Sequence, residues 1–147
     1  MIQRIQSIYM LISAILIGLL FAFPYAEIAT NNQFFLFDFR GISSDGVVSE
    51  SGWAIASFIG LIFALHMVAV FIYRRRIVQI RLMVFSIILL LGLFGLFYFF
   101  TYYTFRNADI GFKVPVVFPL VAIILDYLAI RNIGKDMALL QSADRIR

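Results

Sequence analysis

The longest uncharged stretch of the chain covers residues 82–105 and reads LMVFSIILLLGLFGLFYFFTYYTF. An α-helix rises 1.5 Å per residue, so about 20 apolar residues cross the roughly 30 Å hydrocarbon core of a bilayer. The stretch therefore predicts a membrane-spanning helix. Arg81 precedes it and Arg106 follows it, and these charges mark the two points where the chain meets water.

Three further stretches of the 147-residue chain are similarly apolar. They cover residues 5–23, 53–73 and 114–133, and only the last contains an acid, Asp126. The first also begins like a secretory signal peptide, but its apolar run is longer and no small-x-small cleavage site follows it, so we expect it to be retained. The sequence thus predicts a single-domain, all-α membrane protein, a four-transmembrane-helix bundle.

The composition agrees with this prediction and excludes several kinds of functional site. Hydrophobic residues make up 63% of the chain and charged residues 14%, against about 45–50% and 25% in soluble domains. There is no cysteine, which excludes a disulfide framework and a cysteine-ligated metal. The sequence lacks a nucleophile elbow, an HExxH motif and a glycine-rich phosphate loop. We therefore expect no enzyme activity, no metal and no cofactor.

Lysine and arginine are distributed unevenly between the two sides of the predicted helices. Cationic loops are retained in the cytoplasm, and one side holds nine of these residues while the other holds three. The nine are Arg4, Arg74, Arg75, Arg76, Arg81, Arg131, Lys135, Arg145 and Arg147, and the three are Arg40, Arg106 and Lys113. The distribution predicts a multi-pass protein of the cytoplasmic membrane with both termini in the cytoplasm.

The loop 74–81 carries four of the cytoplasmic charges, Arg74, Arg75, Arg76 and Arg81. Each cation near an anionic membrane surface contributes roughly 1 kcal/mol of attraction, so we expect this loop to bind anionic lipid headgroups. A loop this short, held against a membrane, is a poor site for a duplex. We expect no nucleic-acid partner.

The cytoplasmic tail, residues 134–147, is expected to continue the fourth span as an amphipathic helix. Ile133, Met137, Leu140 and Ala143 recur at spacings of four and three, which places them in one apolar stripe. Such a helix can lie in the membrane interface or dock onto a partner. The pattern leaves both alternatives open.

The outer loop, residues 24–52, is long enough to form a small β structure. Phe35, Phe37 and Phe39 alternate and therefore share one face of a predicted strand. Residues 31–32 are expected to form a tight turn before this strand, and residues 41–46 a second turn after it. The aromatic face needs a cover, which the helix ends, the lipid surface or another protein can provide.

Two ionisable residues lie within the predicted spans. Asp126 is five residues before Arg131, about 7.5 Å from the inner boundary, so we expect it mainly to reach the interface or to pair with an arginine of the 74–81 loop. The alternative is a role in transport or proton relay. His66 lies within about 5 Å of the same height, so the two side chains form a candidate polar pair if their helices are neighbours.

Small residues indicate where helices pack closely. Ala56, Gly60 and Ala64 follow a small-xxx-small spacing on the second span, which allows a neighbouring backbone to approach. His66 lies at a different angle around the helix axis, so it is not on this stripe. We therefore expect a helix-packing face on this span, either within the chain or toward a partner.

Both ends of the chain resemble a known family. The opening MIQRIQSIY, residues 1–9, the closing SADRIR, residues 142–147, the Lys135-Asp136 pair and the Phe118-Pro119-Leu120 stretch are similar to a bacterial family of uncharacterised four-span inner-membrane proteins, a domain of unknown function. The resemblance covers the whole chain. It implies a small integral membrane protein of the bacterial inner membrane and assigns no catalytic residue.

These observations favour one function over two others. The first expectation is a non-catalytic accessory or scaffold subunit that binds a larger membrane complex within the lipid bilayer. The alternative is a small transporter or channel that uses His66 and Asp126 along a polar path. A membrane enzyme is a distant third, because no catalytic motif is present.

Overall fold

The computed structural model describes residues 2–30, 33–44, 47–72, 75–103 and 109–144. These residues form a mostly helical protein with a small β-sheet. The α-helices are α1 (Ile2–Leu19), α2 (Trp53–Phe71), α3 (Arg76–Tyr98) and α4 (Phe118–Asp144). The helical class and the small β structure that the sequence predicts are therefore present.

Three helical stretches are long and apolar enough to cross a membrane. They are Trp53–Phe71, Arg76–Tyr103 and Val114–Leu140. The apolar part of α1, Ile5–Leu19, is shorter. The lengths and compositions indicate a membrane protein.

The third predicted span differs from the structure at both ends. Helix α3 begins at Arg76, so the prediction of a loop over 74–81 is wrong from Arg76 onward. Charges mark a membrane boundary, whereas arginine and glutamine are good helix formers and allow the helix to begin earlier. At the other end, α3 continues as a π-helical segment over Phe99–Tyr103.

The first and fourth helices also differ from their predicted bounds. Helix α1 ends at Leu19, and residues 20–22 form turns where the predicted span continues to 23. A 3-10 turn, Val114–Val117, leads into α4, with Pro115 where a missing N–H costs least. Helix α4 then continues without a break to Asp144, so the predicted tail and the fourth span form one helix. Along the tail, Ile133 is buried, whereas Leu140 is exposed.

The four helices contact one another in a closed cycle. Helix α1 contacts α2 and α4, and helix α3 contacts the same two helices. Consequently α2 and α4 face each other across the centre. Apolar side chains from all four helices fill the part of this centre nearest the sheet, namely Ile17, Leu20, Ile55, Ile59, Ile62, Leu90, Leu93, Phe97 and Ala122.

The sheet is antiparallel and has the strand order β4-β3-β2-β1-β5. Its strands are β1 (Ala26–Thr30), β2 (Gln33–Asp38), β3 (Gly41–Ser44), β4 (Val47–Ser51) and β5 (Asp109–Phe112). Strand β5 lies between α3 and α4 and was not predicted. Its partner β1 joins the two outer loops into one structure.

The prediction of a turn over residues 41–46 is wrong for Gly41–Ser44, which form β3. The turn lies directly before β3, at Phe39 and Arg40, where the backbone N–H of Arg40 donates to Asp38 Oδ1 at 2.7 Å. An aspartate that binds the backbone two residues ahead is a common turn signal. Phe39 therefore belongs to the turn and not to the strand, while the predicted turn at 31–32 lies outside the described residues.

One face of the sheet rests on the ends of the helices. Ile28, Phe37 and Ile42 are buried in the same core as Leu20 and Phe97. The helix ends therefore provide the cover that the alternating phenylalanines require. We call this end of the helices the sheet end, and we call the opposite end, at Arg75 and Arg76, the basic end.

Candidate functional site

Four buried polar side chains meet at the centre of the helices, one from each helix. They are Ser13 of α1, His66 of α2, Ser86 of α3 and Asp126 of α4, and all four are 0% exposed. His66 is the hub of this central polar cluster. Its Nε2 lies 3.0 Å from Asp126 Oδ1 and 2.9 Å from Ser13 Oγ, and its Nδ1 lies 3.3 Å from Ser86 Oγ.

The geometry assigns the proton on one side of the imidazole ring. His66 Nδ1 lies 2.8 Å from the carbonyl oxygen of Ile62. A carbonyl oxygen only accepts hydrogen bonds, so Nδ1 carries a proton and donates it there. This bond is made to the preceding turn of the same helix, and it fixes the orientation of the ring.

The other ring nitrogen shares a proton with the carboxyl group. His66 Nε2 lies 3.0 Å and 3.2 Å from the two oxygens of Asp126. A hydrogen bond at this position requires one proton between them, on the ring or on the carboxyl group. In either arrangement the pair has no net charge, which is how an ionisable pair is tolerated in an apolar interior.

Ser13 completes the site between α1 and α4. Its hydroxyl lies 2.9 Å from His66 Nε2 and 3.5 Å from the carbonyl oxygen of Ala122. A hydroxyl can donate one hydrogen bond and accept others, so Ser13 can serve either protonation state of His66. The cluster thus links every helix through hydrogen bonds to one imidazole.

The expectation that Asp126 pairs with an arginine of the 74–81 loop is wrong. Asp126 is fully buried and binds His66, whereas the acid beside Arg76 is Asp136, whose Oδ2 lies 4.0 Å from Arg76 Nη1. Counting from Arg131 gives the height of Asp126 along the helix but not the face of α4 on which it lies. That face is turned toward His66 at the centre of the helices.

A second polar layer lies toward the basic end. Gln79 Nε2 donates to the carbonyl oxygen of Ala69 at 3.0 Å, and Gln6 Nε2 donates to Asp136 Oδ2 at 3.1 Å. Met10, Ala69, Met83 and Ala129 form an apolar layer of their own. Sequence reasoning missed Ser13, Ser86, Gln6 and Gln79, although uncharged polar residues within apolar helices are a signal for such contacts.

The half of the interior between the central polar cluster and the sheet is apolar. Among the described residues, two buried hydroxyls lie there, those of Thr101 and Tyr25, and the hydroxyl of Thr101 donates to the carbonyl oxygen of Phe97 in its own helical segment. Tyr25 closes this region, because its hydroxyl donates to the carbonyl oxygen of Leu20 at 2.8 Å. The described side chains therefore form no polar path from the cluster to the sheet end.

Among the described residues, no backbone atom of another helix comes close to the small-residue stripe at Gly60. A methyl group at Gly60 would meet only the ring of Phe21, at 4.0 Å, and Ala64 is exposed. Ala56 is half-buried. The buried face of α2 consists of Ile55, Ile59, Ile62, His66 and Ala69, so the stripe is not part of that face, and its packing against a helix of a partner stays a prediction.

The outer aromatic residues occupy the helix-facing side of the sheet. Phe37 is buried and stacks on Phe100, with 5.9 Å between ring centroids. Phe35 and Phe39 are partly buried against the same core. This packing positions the sheet on α3, and it is a structural role for the three phenylalanines.

The basic residues of the predicted loop lie on or next to the first turns of α3. Arg75 precedes the helix, Arg76 begins it and Arg81 is exposed on it. Arg74 lies outside the described residues. Arg75 and Arg76 also border a surface cleft with Met137 of α4.

Comparisons with known proteins concern the family and not the activity. The search of curated proteins finds no match, and the search of solved structures finds none either. A family described as Domain of unknown function (DUF4293) matches residues 2–146. This match covers nearly the whole chain, as the similarity at its two ends led us to expect, and the chain therefore belongs to the DUF4293 family.

Proposed function

We propose that the chain is a four-span protein of the bacterial inner membrane, with both termini in the cytoplasm, and that it is a non-catalytic accessory or scaffold subunit of a larger membrane complex. One observation supports the subunit role above all. The sheet face turned away from the helices exposes Phe34 at 77%, Leu36 at 44% and Val48 at 48%. We call these three residues the outer apolar patch.

The strand register supports the grouping of these residues. Leu36 pairs with Ser43, and Ser43 pairs with Val48, so all three side chains lie on one face. Phe34 is two residues from Leu36 in β2 and shares that face. Because the opposite face already covers the helix ends, lipid around the helices does not cover this patch. An apolar patch outside the bilayer is typical of a protein-binding surface.

The contacts of α1 support counting it as a membrane span beside the other three, which makes four. Ser13 reaches His66 at the level of the central polar cluster, and Gln6 reaches Asp136 near the basic end. At the other end, Leu20 lies in the core beneath the sheet. Helix α1 therefore runs beside α2 and α4 through both polar layers, so a bilayer that surrounds those helices also surrounds α1.

A matched pair of variants tests the subunit role. Phe34 on the patch and Phe71 at the basic end of α2 are exposed to the same extent, at 77% and 78%. The wild-type chain, extracted in a mild detergent, should co-purify with stoichiometric partners. We expect Phe34→Ala to reduce that recovery at least about fivefold, equivalent to roughly 1 kcal/mol of binding, while Phe71→Ala leaves it unchanged.

The readout is quantitative mass spectrometry of the purified material, normalised to the amount of the chain. Recovery of the wild-type chain without companions would count against a subunit role. Equal recovery with Phe34→Ala and Phe71→Ala would remove the outer apolar patch from the interface.

The buried pair of His66 and Asp126 favours a second candidate, a small carrier. Ionisable residues within spans commonly bind protons or ions during transport. A carrier requires that Asp126→Asn abolish transport while the amount of folded protein stays unchanged. The apolar interior between the cluster and the sheet favours the subunit role, because it offers a substrate no polar contacts on that side.

A further inference from the structure

We propose that the basic end holds a discrete site for one anionic phospholipid, in a cleft between the start of α3 and the tail half of α4. The cleft has a volume of about 430 Å³ and is lined by Arg75, Arg76, Ile77, Val78 and Met137. The inference rests on the proposed membrane insertion and not on the accessory role. The sequence predicts diffuse attraction of anionic lipid headgroups to a charged loop, whereas the proposed site binds one lipid at one position.

An unused donor points to an anionic ligand. Nη1 of Arg76 is buried, and none of the described residues accepts a hydrogen bond from it. The nearest acid atom, Asp136 Oδ2, is 4.0 Å away, which is beyond hydrogen-bond distance. That oxygen already accepts a hydrogen bond from Gln6 Nε2. The Arg76 side chain lines the cleft and is 25% exposed, so a rotation of its guanidinium would present this donor to an oxyanion in the cleft and give it the acceptor that it lacks.

The charge of the cleft favours an anion over a zwitterion. Arg75 and Arg76 contribute two positive charges, and Asp136 offsets one of them. Arginine binds phosphate oxygens in a planar, two-pronged geometry. A phosphodiester without a neighbouring ammonium group thus fits better than a phosphocholine headgroup.

The remaining wall of the cleft indicates a lipid. Ile77, Val78 and Met137 are apolar, and Ile77 is exposed at 59%. A ligand that places phosphate on the arginines and hydrocarbon on this wall is an amphiphile. The cleft lies where α3 begins, at the proposed inner boundary of the bilayer, and anionic phospholipid is the amphiphile that the membrane supplies there.

The test measures lipid binding to the purified full chain by native mass spectrometry. Phosphatidylglycerol, phosphatidylcholine and inorganic phosphate are titrated separately. We expect one phosphatidylglycerol per chain at the lowest concentrations and weaker binding of phosphatidylcholine. Arg75→Gln and Arg76→Gln should each weaken phosphatidylglycerol binding about tenfold.

Two controls separate the site from general charge and from misfolding. Arg81→Gln removes the same charge from the same helix outside the cleft, and it should leave binding unchanged. Met137→Trp fills the apolar wall without changing charge, and it should also weaken binding. Size-exclusion chromatography checks that each variant is folded.

Three results would overturn the proposal. Equal binding of both lipids would exclude selection of an anion. Equal losses with Arg81→Gln and Arg76→Gln would reduce the site to diffuse attraction. Displacement of phosphatidylglycerol by millimolar inorganic phosphate would identify a soluble phosphate compound as the ligand. Because the measurement involves no partner protein, its failure is distinct from failure of the subunit role.

Discussion

Replacing His66 with leucine should lower the free energy of unfolding by about 3–5 kcal/mol, because it leaves the carboxyl group of Asp126 buried without a partner. Both side chains are 0% exposed, and His66 provides the hydrogen bonds to Asp126, at 3.0 Å and 3.2 Å. The measurement is thermal unfolding in mild detergent, followed by the fraction of the chain that remains monodisperse after heating.

Replacing Asp126 with leucine should lower the free energy of unfolding by less than replacing His66 does. In Asp126→Leu, the His66 ring keeps its bond from Nδ1 to the carbonyl oxygen of Ile62, and its Nε2 can accept a hydrogen bond from Ser13 at 2.9 Å. The double variant His66→Leu with Asp126→Leu should recover most of the loss, since neither buried group is then left alone. Additive losses would show that the two residues do not stabilise each other in the folded protein.

Replacing Gly41 with alanine should destabilise the sheet by about 3 kcal/mol or more. Gly41 has a φ of +121°, a conformation that residues with a side chain rarely adopt. A methyl group there would overlap the carbonyl oxygen of Glu50 and lie 2.5 Å from the backbone nitrogen of Gly52. Both contacts are with backbone atoms, one in β4 and one in the residue that follows it, so rotation of a side chain cannot relieve them.

Gly111→Ala is the matched control within the same sheet. A methyl group at Gly111 would lie 3.7 Å from the carbonyl oxygen of Glu27, which is an ordinary contact. We expect its stability to change by no more than about 0.5 kcal/mol. The rate of tryptic cleavage after Arg40, in the turn between β2 and β3, reports opening of the sheet. Equal rates for Gly41→Ala and wild type would show that the close approach at Gly41 is not required.

The sequence predicts the helices well because charge and hydropathy mark where the chain enters an apolar environment. It predicts helix ends less well, since Arg76 and Gln79 are as compatible with a first helical turn as with a loop. The sheet shows a different limit. Alternating phenylalanines predict β2, whereas β5 depends on pairing with a strand far away in the chain, and that pairing has no local signal.

The central polar cluster could be predicted only in part. Counting residues along the second and fourth spans, which run in the same direction, places His66 and Asp126 at similar heights. Their contact also requires α2 and α4 to face each other, which the order of helices along the chain does not determine. Ser13 and Ser86 carry weaker signals still, because a serine in a helix can bond to its own backbone and need no partner helix.

The central polar cluster joins the four helices in the interior of the protein. His66 satisfies its hydrogen bonds within the chain, and so does Asp126. The exposed apolar residues of the outer apolar patch lie at the sheet end, and the arginines and apolar residues of the cleft beside Arg76 lie at the basic end. We therefore propose that the chain recognises a partner at one end and a lipid at the other.

We propose that the sheet and the tail lie on opposite sides of the membrane. The chain has no cysteine, so a single introduced cysteine reports its own location. Ser49 in β4 and Ser142 near the end of α4 are both exposed. In intact spheroplasts, a membrane-impermeant maleimide should label Ser49→Cys at once and label Ser142→Cys only after lysis. Labelling of both before lysis, or of Ser142→Cys alone, would contradict the proposed topology.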